Sequence, residues 1–538
     1  MNSLASDSTA APNSRSDEVR PVAVIDVGST SIRMAIAEIG GGGEVRRLEM
    51  LTQAVGLGKD TFTKGTINKA TTEQCVQVLK SYRKVLEEYQ ITSDSHVRVV
   101  ATSAVREASN RLAFVDRVFI ATGFNVEPLD EAEVSRITYL ALQPMLSREP
   151  ALAKARTIVA EVGGGNTDLL LLRGSDVLYS HMYRLGSLRL RQALEAYDTS
   201  EGPGRHILEA RIHQTMEQLQ QQIPEAGPVQ LVALGGDMRF AAARLGVKLG
   251  TDQVGELGHL GEISVDEFEE FTNHILDLSV DQLVRTYHLA FPDAETLGPA
   301  LLSYLELAKT FGLEQIFVAD LNLRDGLLQE IAVQEPWTEA FRAQIVRAAV
   351  ALGRKYHVDE KHAGHVAELC QLLFQALQEE HQLGPRSELM LQLAARLHEV
   401  GLYIGTRGHH KHSLYLISHA EMFGLSRTDH LLVGLTARYH RRANPSPSHQ
   451  GFANLNREQR GAVAKMAAIL RVAKALDESR SQRIRELQCT HEDDRLVIGI
   501  PGVTDLSVEQ LAIKQSGSLF EEVFGMKVLL RRAAAKSE

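Results

Sequence analysis

Glu161 and Asp168 flank three consecutive glycines, Gly163, Gly164 and Gly165, and the polar pair Asn166 and Thr167, in the stretch TIVAEVGGGNTDLLLLR from Thr157 to Arg173. A Gly-rich turn exposes successive backbone N–H groups with no side chains in the way, which is a nest for phosphate oxygens. Carboxylates on either side of it are suited to holding a divalent cation or a water. One such turn is a weak signal, because Gly-rich turns are common in purely structural hairpins. A second copy strengthens it. Val24 to Ala37 reads VIDVGSTSIRMAIA, and laid over the first stretch without a gap it puts Asp26 on Glu161, Gly28 on Gly163 and Ser31 on Asn166. Ser29 and Thr30 complete that turn. The copies lie 135 positions apart, too far for a solenoid repeat. They suit two duplicated lobes, each offering one phosphate hairpin to a shared cleft.

The elements that must position these residues are legible around them. The apolar runs Ile158 to Ala160 and Leu169 to Leu172 predict buried strands, with the glycines supplying φ > 0 in the turn between. Val45 to Leu51 and Val97 to Ala101 read as further strands, and Ile67 to Tyr89 has helical spacing. In TSAVREASN a helix is expected to start on Thr102 or Ser103 as cap. Arg106 then sits within its first turn or two, where a fork of donors adds to the positive end of the helix. Ile207 to Gln222 and Pro299 to Phe311 read as helices. Gly235 and Gly236 follow the strand Leu231 to Leu234.

The chain has 538 residues, enough for three or four domains with sizeable cores. A net charge of −10 argues against a general nucleic-acid binder. Cys75, Cys370 and Cys489 are widely spaced and odd in number, which fits no disulfide framework and points to a reducing cytoplasm. Residues 1–20 are rich in Ser, Ala and Asp without an apolar core, so a disordered tail is expected there. No apolar run approaches the roughly 20 residues that span a bilayer.

After Glu335, Pro336 and Trp337 the pattern turns strongly helical and rich in histidine. His362 and His365 share one helix, His398 and Glu399 follow an apolar helical run, and His409, His410, His412, His440 and Asp477 come later. Taken singly, each of these histidines reads as a solvated helix end. The basic pieces Arg407 to His412 and His440 to Arg442 could instead wall a polyanion. Residues from about Leu487 to Lys536 alternate apolar and polar as strands, with a helix at Ser507 to Gln515.

These motifs carry a resemblance. The chain is similar to the exopolyphosphatase and guanosine-pentaphosphate phosphohydrolase (Ppx/GppA) family of the sugar kinase, Hsp70 and actin superfamily. IDVGSTSIRM resembles its first phosphate motif, ATSAVREASN its arginine motif and EVGGGNTD its second phosphate motif. The likeness continues through YRLGSLRL at Tyr183, LVALGGDMRFAA at Leu231 and IFVADLNLRDGLLQE at Ile316. The resemblance implies an α/β fold of two actin-like (ribonuclease H-like) lobes, at 21–135 and 136–332. An all-α domain at 335–486, resembling the HD phosphohydrolase domain, and a small α/β domain at 487–538 follow. It further implies hydrolysis of a terminal phosphoanhydride in inorganic polyphosphate or in guanosine pentaphosphate, with the tetraphosphate as a related ligand. Mg²⁺ or another divalent cation at Asp26, Glu161 and Asp168, a cytoplasmic homodimer and no membrane or specific nucleic-acid partner are also implied. In the helical domain His365, His398, Glu399, His440 and Asp477 fall at the metal residues of the HD pattern, with the doublet His398-Glu399 where that pattern has His-Asp.

Two departures bear on catalysis. The family usually has Asp where this chain has Glu161, and Glu where it has Asp168. In LDEAEVSRITYLAL, from Leu129, the family's base for the attacking water aligns with Val134. Glu133 is the neighbouring carboxylate, but on a helix it points about 100° away. Either Glu133 is brought into the cleft to act with Arg106, Glu161 and Asp168, or the fold has become a polyphosphate or alarmone sensor with impaired turnover.

Overall fold

The strand Arg20–Val27 (β1) reads RPVAVIDV and is buried from Val22 onward, as a near-continuous apolar run demands in the middle of a sheet. Ser31–Ile39 (β2) and Val45–Ala54 (β3) fold back on it as an antiparallel meander. Val97–Ala101 (β4) and Val126–Pro128 (β5) extend the other side in parallel. The order is β3-β2-β1-β4-β5. This computed structural model describes residues 19–146, 148–149, 152, 155–174, 176–195, 204–223, 228–249, 260–333, 337–492 and 494–533. The tail expected at 1–20 therefore lies outside the described residues except for Val19 and Arg20, and Arg20 already belongs to β1.

The second sheet repeats the first. Arg156–Val162 (β6), Thr167–Arg173 (β7) and Asp176–Tyr183 (β8) form the meander. Val229–Leu234 (β9) runs parallel to β6, and Gln315–Val318 (β11) runs parallel to β9. Gly261–Ser264 (β10) is added at the edge, antiparallel to β11. The order β8-β7-β6-β9-β11 reproduces that of the first sheet, strand for strand. This is the duplication that the two hairpins announce.

Helices cover the sheets. Lys69–Glu88 is capped by the Asn68 side chain and packs Val76, Leu79 and Leu86 onto one face of the first sheet. The opposite face is covered by Glu131–Leu146 and by Leu323–Val333, which places Leu323, Leu327 and Leu328 against Val22 and Val24. Glu330, on that last helix, is paired with Arg98 of β4 at 2.7 Å and with Arg136 at 2.9 Å. The helix expected from Pro299 begins earlier, at Phe291, with Pro299 inside it. Pro292 sits in its first turn, where a missing N–H costs nothing.

Residues Met1–Pro336 form one compact unit and Trp337–Glu538 another. The second unit is a set of helices around Arg457–Leu476, whose inner face is buried from Val463 to Leu476. Gln488–Glu492 (β12), Arg495–Pro501 (β13) and Lys527–Ala533 (β14) form its small sheet. The helices Ser507–Ser516 and Ser518–Phe524 pack between that sheet and Arg457–Leu476. No described helix is long and apolar enough to cross a membrane.

Candidate active site

Both hairpins close in the same way. Val27 pairs with Ile32 and Val162 with Thr167, leaving Gly28–Ser31 and Gly163–Asn166 as the turns. The Gly28 N–H donates to the Ser31 carbonyl at 3.0 Å, and the Gly163 N–H donates to the Asn166 carbonyl at 2.9 Å. The carbonyls of each turn are taken up from behind. Those of Ser29 and Thr30 accept from the N–H groups of Gly58 and Val55, and those of Gly163 and Gly164 accept from Ser187 and Leu188. With these carbonyls engaged, each turn keeps further N–H groups as the donors that an anion nest requires.

The reason for the glycines differs from the one expected. None of Gly28, Gly163, Gly164 and Gly165 adopts positive φ. Close approach demands them instead. A Cβ on Gly165 would lie 2.5 Å from the side chains of Phe62 and Ser103, and one on Gly164 would lie 3.3 Å from the Ser29 Cβ. The two turns thus touch. Gly186, in the YRLGSLRL stretch, lies directly beneath the second, where a Cβ would be 2.2 Å from the Gly165 carbonyl carbon.

The turns line a cleft of about 340 Å³ together with Asp26, Arg33, Arg106, Glu161, Asp168 and Asp237. Arg106 lies on the short helix Ser103–Glu107. It donates to the Leu129 carbonyl at 3.1 Å and reaches the Asn166 side-chain oxygen at 3.1 Å when that amide donates to Gly165. Thr102 precedes the helix but makes no side-chain cap. Cross-strand register explains the acids. Glu161 stands opposite Asp168, and the equivalent pair in the first hairpin is Asp26 opposite Arg33. Arg33 was not singled out from the sequence, although the gapless overlay places it on Asp168. Asp237, the residue after Gly235 and Gly236, was also missed. Gly235 has φ +100, and its loop is held by Tyr304, which donates to the Leu234 carbonyl at 2.5 Å and accepts from the Val162 N–H at 2.7 Å.

The acids share one electrostatic condition. Burial raises the pKa of Asp26 and Glu161 above the usual carboxylate range, against the lowering charges of Arg324 and Arg239 respectively. Burial pushes Asp168 up to about 7, opposed by the Ser135 hydroxyl and assisted by Glu161. Asp237 is likewise pushed up to about 7, by burial and then by Asp293. Asp26 Oδ1 and Asp168 Oδ2 are buried without a hydrogen-bond partner among the described residues. Hard oxygen donors in this state fit a divalent cation.

Glu133 is not brought into the cleft. Val134 lines it, while Glu133 turns back to the start of its own helix. There its Oε2 accepts from the Asp130 N–H at 3.1 Å and its N–H donates to Asp130 Oδ1 at 2.9 Å. This reciprocal capping box fixes the carboxylate on the helix end. Of the two alternatives, the local shift of Glu133 into the cleft does not occur, because the cap satisfies its carboxylate where the helix begins.

Comparison with known proteins gives the chain a family. Residues 35–335 match the Ppx/GppA phosphatase family, and residues 346–505 match Ppx/GppA phosphatase, domain III. The chain belongs to the Ppx/GppA phosphatase family. The guanosine-5'-triphosphate,3'-diphosphate pyrophosphatase of Vibrio cholerae serotype O1 is 23% identical over 485 residues, covering 89% of this chain and 92% of that protein. The Photobacterium profundum protein of the same name is 22% identical, over 89% of this chain and 91% of its own length. The crystal structure of an exopolyphosphatase from Cytophaga hutchinsonii shares the fold, with a TM-score of 0.52 and 20% identity over 59% of this chain and 98% of that one.

In the second unit of this Ppx/GppA chain the structure brings together His398 and Glu399 of the expected group, with His362 in the place of His365. His362, His398 and Glu399 have ligand atoms within 4.8 Å of one another. His365, expected in this group, is not part of it and lies 3.6 Å from Glu368 instead. One helix carries both, three residues apart, so the two side chains share a face but lie about 60° apart around the axis, and only His362 reaches the group. Asp477 is 2.7 Å from His362 Nδ1. The His440 and His398 rings are 5.0 Å apart. Burial pushes His398 down to about 4, against the raising charge of Glu399, so its imidazole is neutral near pH 7.

Proposed function

We propose that the chain is a phosphoanhydride hydrolase that holds the terminal phosphate of its substrate between the two hairpins and transfers it to water. Inorganic polyphosphate and the 5′ γ-phosphate of guanosine pentaphosphate both fit this reading. The names of the relatives and of the fold neighbour support it. The observation that carries it is the contact of two turns, from Gly28 and from Gly163, in one cleft with Arg33 and Arg106. Donors fixed in place before the substrate arrives stabilise the charge that spreads over the transferring group.

Asp26, Glu161 and Asp168 would hold Mg²⁺ or another divalent cation. When bound, that ion supplies positive charge to the phosphate oxygens. Arg106, anchored on the Leu129 carbonyl, orients the phosphate at the mouth of the second turn. Gly163 to Gly165, Asn166 and Thr167, with Gly28 to Ser31, form the remainder of the cradle.

No carboxylate stands where the family's base would be, because that position is Val134. Turnover in this chain then rests on the cradle, the arginines and the cation, without a general-base contribution of roughly 10²–10⁴-fold. Val134 also favours a second reading, in which the cleft binds the same ligands and acts as a sensor.

Phosphate release from guanosine pentaphosphate and from long-chain polyphosphate, with Mg²⁺, tests both. Slow release abolished by Glu161→Ala and by Asp168→Ala supports the hydrolase. Binding without measurable release supports the sensor. Release that survives both substitutions removes the cleft from the mechanism.

A further inference from the structure

The carbonyls of the second turn, Gly163 to Asn166, do not all have the same kind of partner. The Gly163 and Gly164 carbonyls accept from the Ser187 and Leu188 N–H groups at 2.9 and 3.0 Å, and the Asn166 carbonyl accepts from the Gly163 N–H. These are main-chain contacts, made by the turn itself and by the start of the helix Ser187–Glu195. The Gly165 carbonyl is held by side chains. Arg189 Nε donates to it at 2.6 Å, and the Asn166 amide shares it at 2.7 Å in the orientation that also satisfies Arg106. In the first turn the Ser29 and Thr30 carbonyls are met by the main-chain N–H groups of Gly58 and Val55.

Arg189 does more than close this hydrogen bond. Its guanidinium lies over the Phe62 ring, 3.9 Å from the centroid, and its Nη2 donates to Glu107 Oε2. Phe62 belongs to the helix Leu57–Lys64, and Glu107 follows Arg106 on the helix Ser103–Glu107. One side chain of the second lobe thus touches the second phosphate turn and two helices of the first lobe. The same ring packs against the turn, since a Cβ on Gly165 would meet Phe62 at 2.5 Å. Arg184 also reaches Glu107, at 3.0 Å, but its side chain is 74% exposed against 14% for Arg189. An exposed ion pair is worth little, so the sheltered one, made by a planar fork, is the effective link. Arg189 is not among the residues that line the cleft. Its effect on a bound phosphate therefore passes through its neighbours.

We propose that Arg189 is a positioning residue of the phosphate site. It keeps the Gly165 carbonyl turned away from the bound anion and, through Glu107, fixes the second turn at one distance from Arg106. This role presupposes the phosphate cleft described above and goes beyond it. Arginine is needed because Nε must reach the carbonyl while Nη2 reaches the carboxylate and the flat face lies on Phe62. A lysine carries the charge but cannot make both bonds in one plane. Without the bond to Arg189 the Gly165 carbonyl is freer to rotate, because Gly tolerates the backbone conformations that rotation requires. Its negative end beside the phosphate would then oppose binding. Arg106 would at the same time lose its fixed spacing from the turn.

The test is the binding of tripolyphosphate with Mg²⁺ by isothermal titration, with kcat and KM for phosphate release from it, in the full chain. Arg189→Lys should keep the wild-type melting temperature and bind about tenfold more weakly. Its kcat/KM should fall by up to roughly 10²-fold, mostly in kcat, because the turn is displaced from the transferring group. Glu107→Ala should do the same, and the double variant should be no worse than either alone, since both break one link. Glu107→Gln, whose amide oxygen still accepts from Arg189, should recover most of the binding, and Arg184→Ala should bind as the wild type does. Wild-type binding in Arg189→Lys would show that charge alone suffices and overturns the proposal while leaving the phosphate cleft intact. Additive losses in the double variant also overturn it. A wild type that does not bind tripolyphosphate removes the phosphate cleft and this role together. Should Arg189→Lys melt far below the wild type, Glu107→Gln against Glu107→Ala decides: equal losses overturn the link.

Discussion

The Ser135 hydroxyl donates to Asp168 Oδ1 at 2.8 Å, tying the helix that carries Val134 to the strand that carries the second cleft acid. Ser135 is the influence that most lowers the pKa of Asp168. Ser135→Ala should therefore raise it further and shift the pH at which Mg²⁺ half-saturates to more alkaline values. Above that pH the unpaired carboxylate should cost about 1–3 kcal/mol. Isothermal titration with Mg²⁺ across pH checks the first effect and chemical denaturation the second.

Asp168 also sets a pH dependence of stability. Its pKa rises from an ordinary 3.8 to about 7 on folding. The folded state then binds more protons than the unfolded state between these values. The stability contribution is present below about pH 4 and is lost as pH rises through about 7. In EDTA the melting temperature of the wild type should fall over this window more than that of Asp168→Asn. Added Mg²⁺ should reduce the difference, because the cation replaces the proton.

Val134→Glu should raise phosphate release, by up to roughly 10²–10⁴-fold if the new carboxylate orients the attacking water. Glu133→Gln should change turnover little, since the amide oxygen can still accept from the Asp130 N–H. A large loss in Glu133→Gln at unchanged binding would restore Glu133 as the base.

Gly186→Ala places a methyl against the backbone of Gly164 to Asn166. Overpacking against main chain should cost roughly 3 kcal/mol and displace the second turn. Both the melting temperature and phosphate binding should fall. Unchanged binding would show that the turn tolerates movement.

Glu330 pairs with both Arg98 and Arg136, and its side chain is only 11% exposed. Glu330→Ala should destabilise the first unit by about 3 kcal/mol or more, because a buried arginine loses its counter-charge. Urea denaturation followed by circular dichroism measures it.

The sequence by itself determined the duplication. The gapless overlay of Asp26 on Glu161 is a local pattern of strand, turn and strand, and local patterns survive in one dimension. It located both turns and the acids Asp26, Glu161 and Asp168, and the separate stretch TSAVREASN located Arg106, all of which line the cleft. The order of apolar runs likewise foretold two α/β lobes followed by helices. What it could not determine was direction. Whether Glu133 or Val134 faces the cleft depends on where the helix starts, and Asp130 decides that by capping it. Whether His362 or His365 joins His398 depends on the rotation of their helix against the element that carries His398 and Glu399. The role of the glycines was also hidden, because their neighbours Phe62, Ser103 and Ser29 are distant in the chain and close only after folding. Spacing along a chain fixes which residues share an element. Only packing fixes which way each side chain looks, and at this cleft that choice separates a carboxylate from a valine.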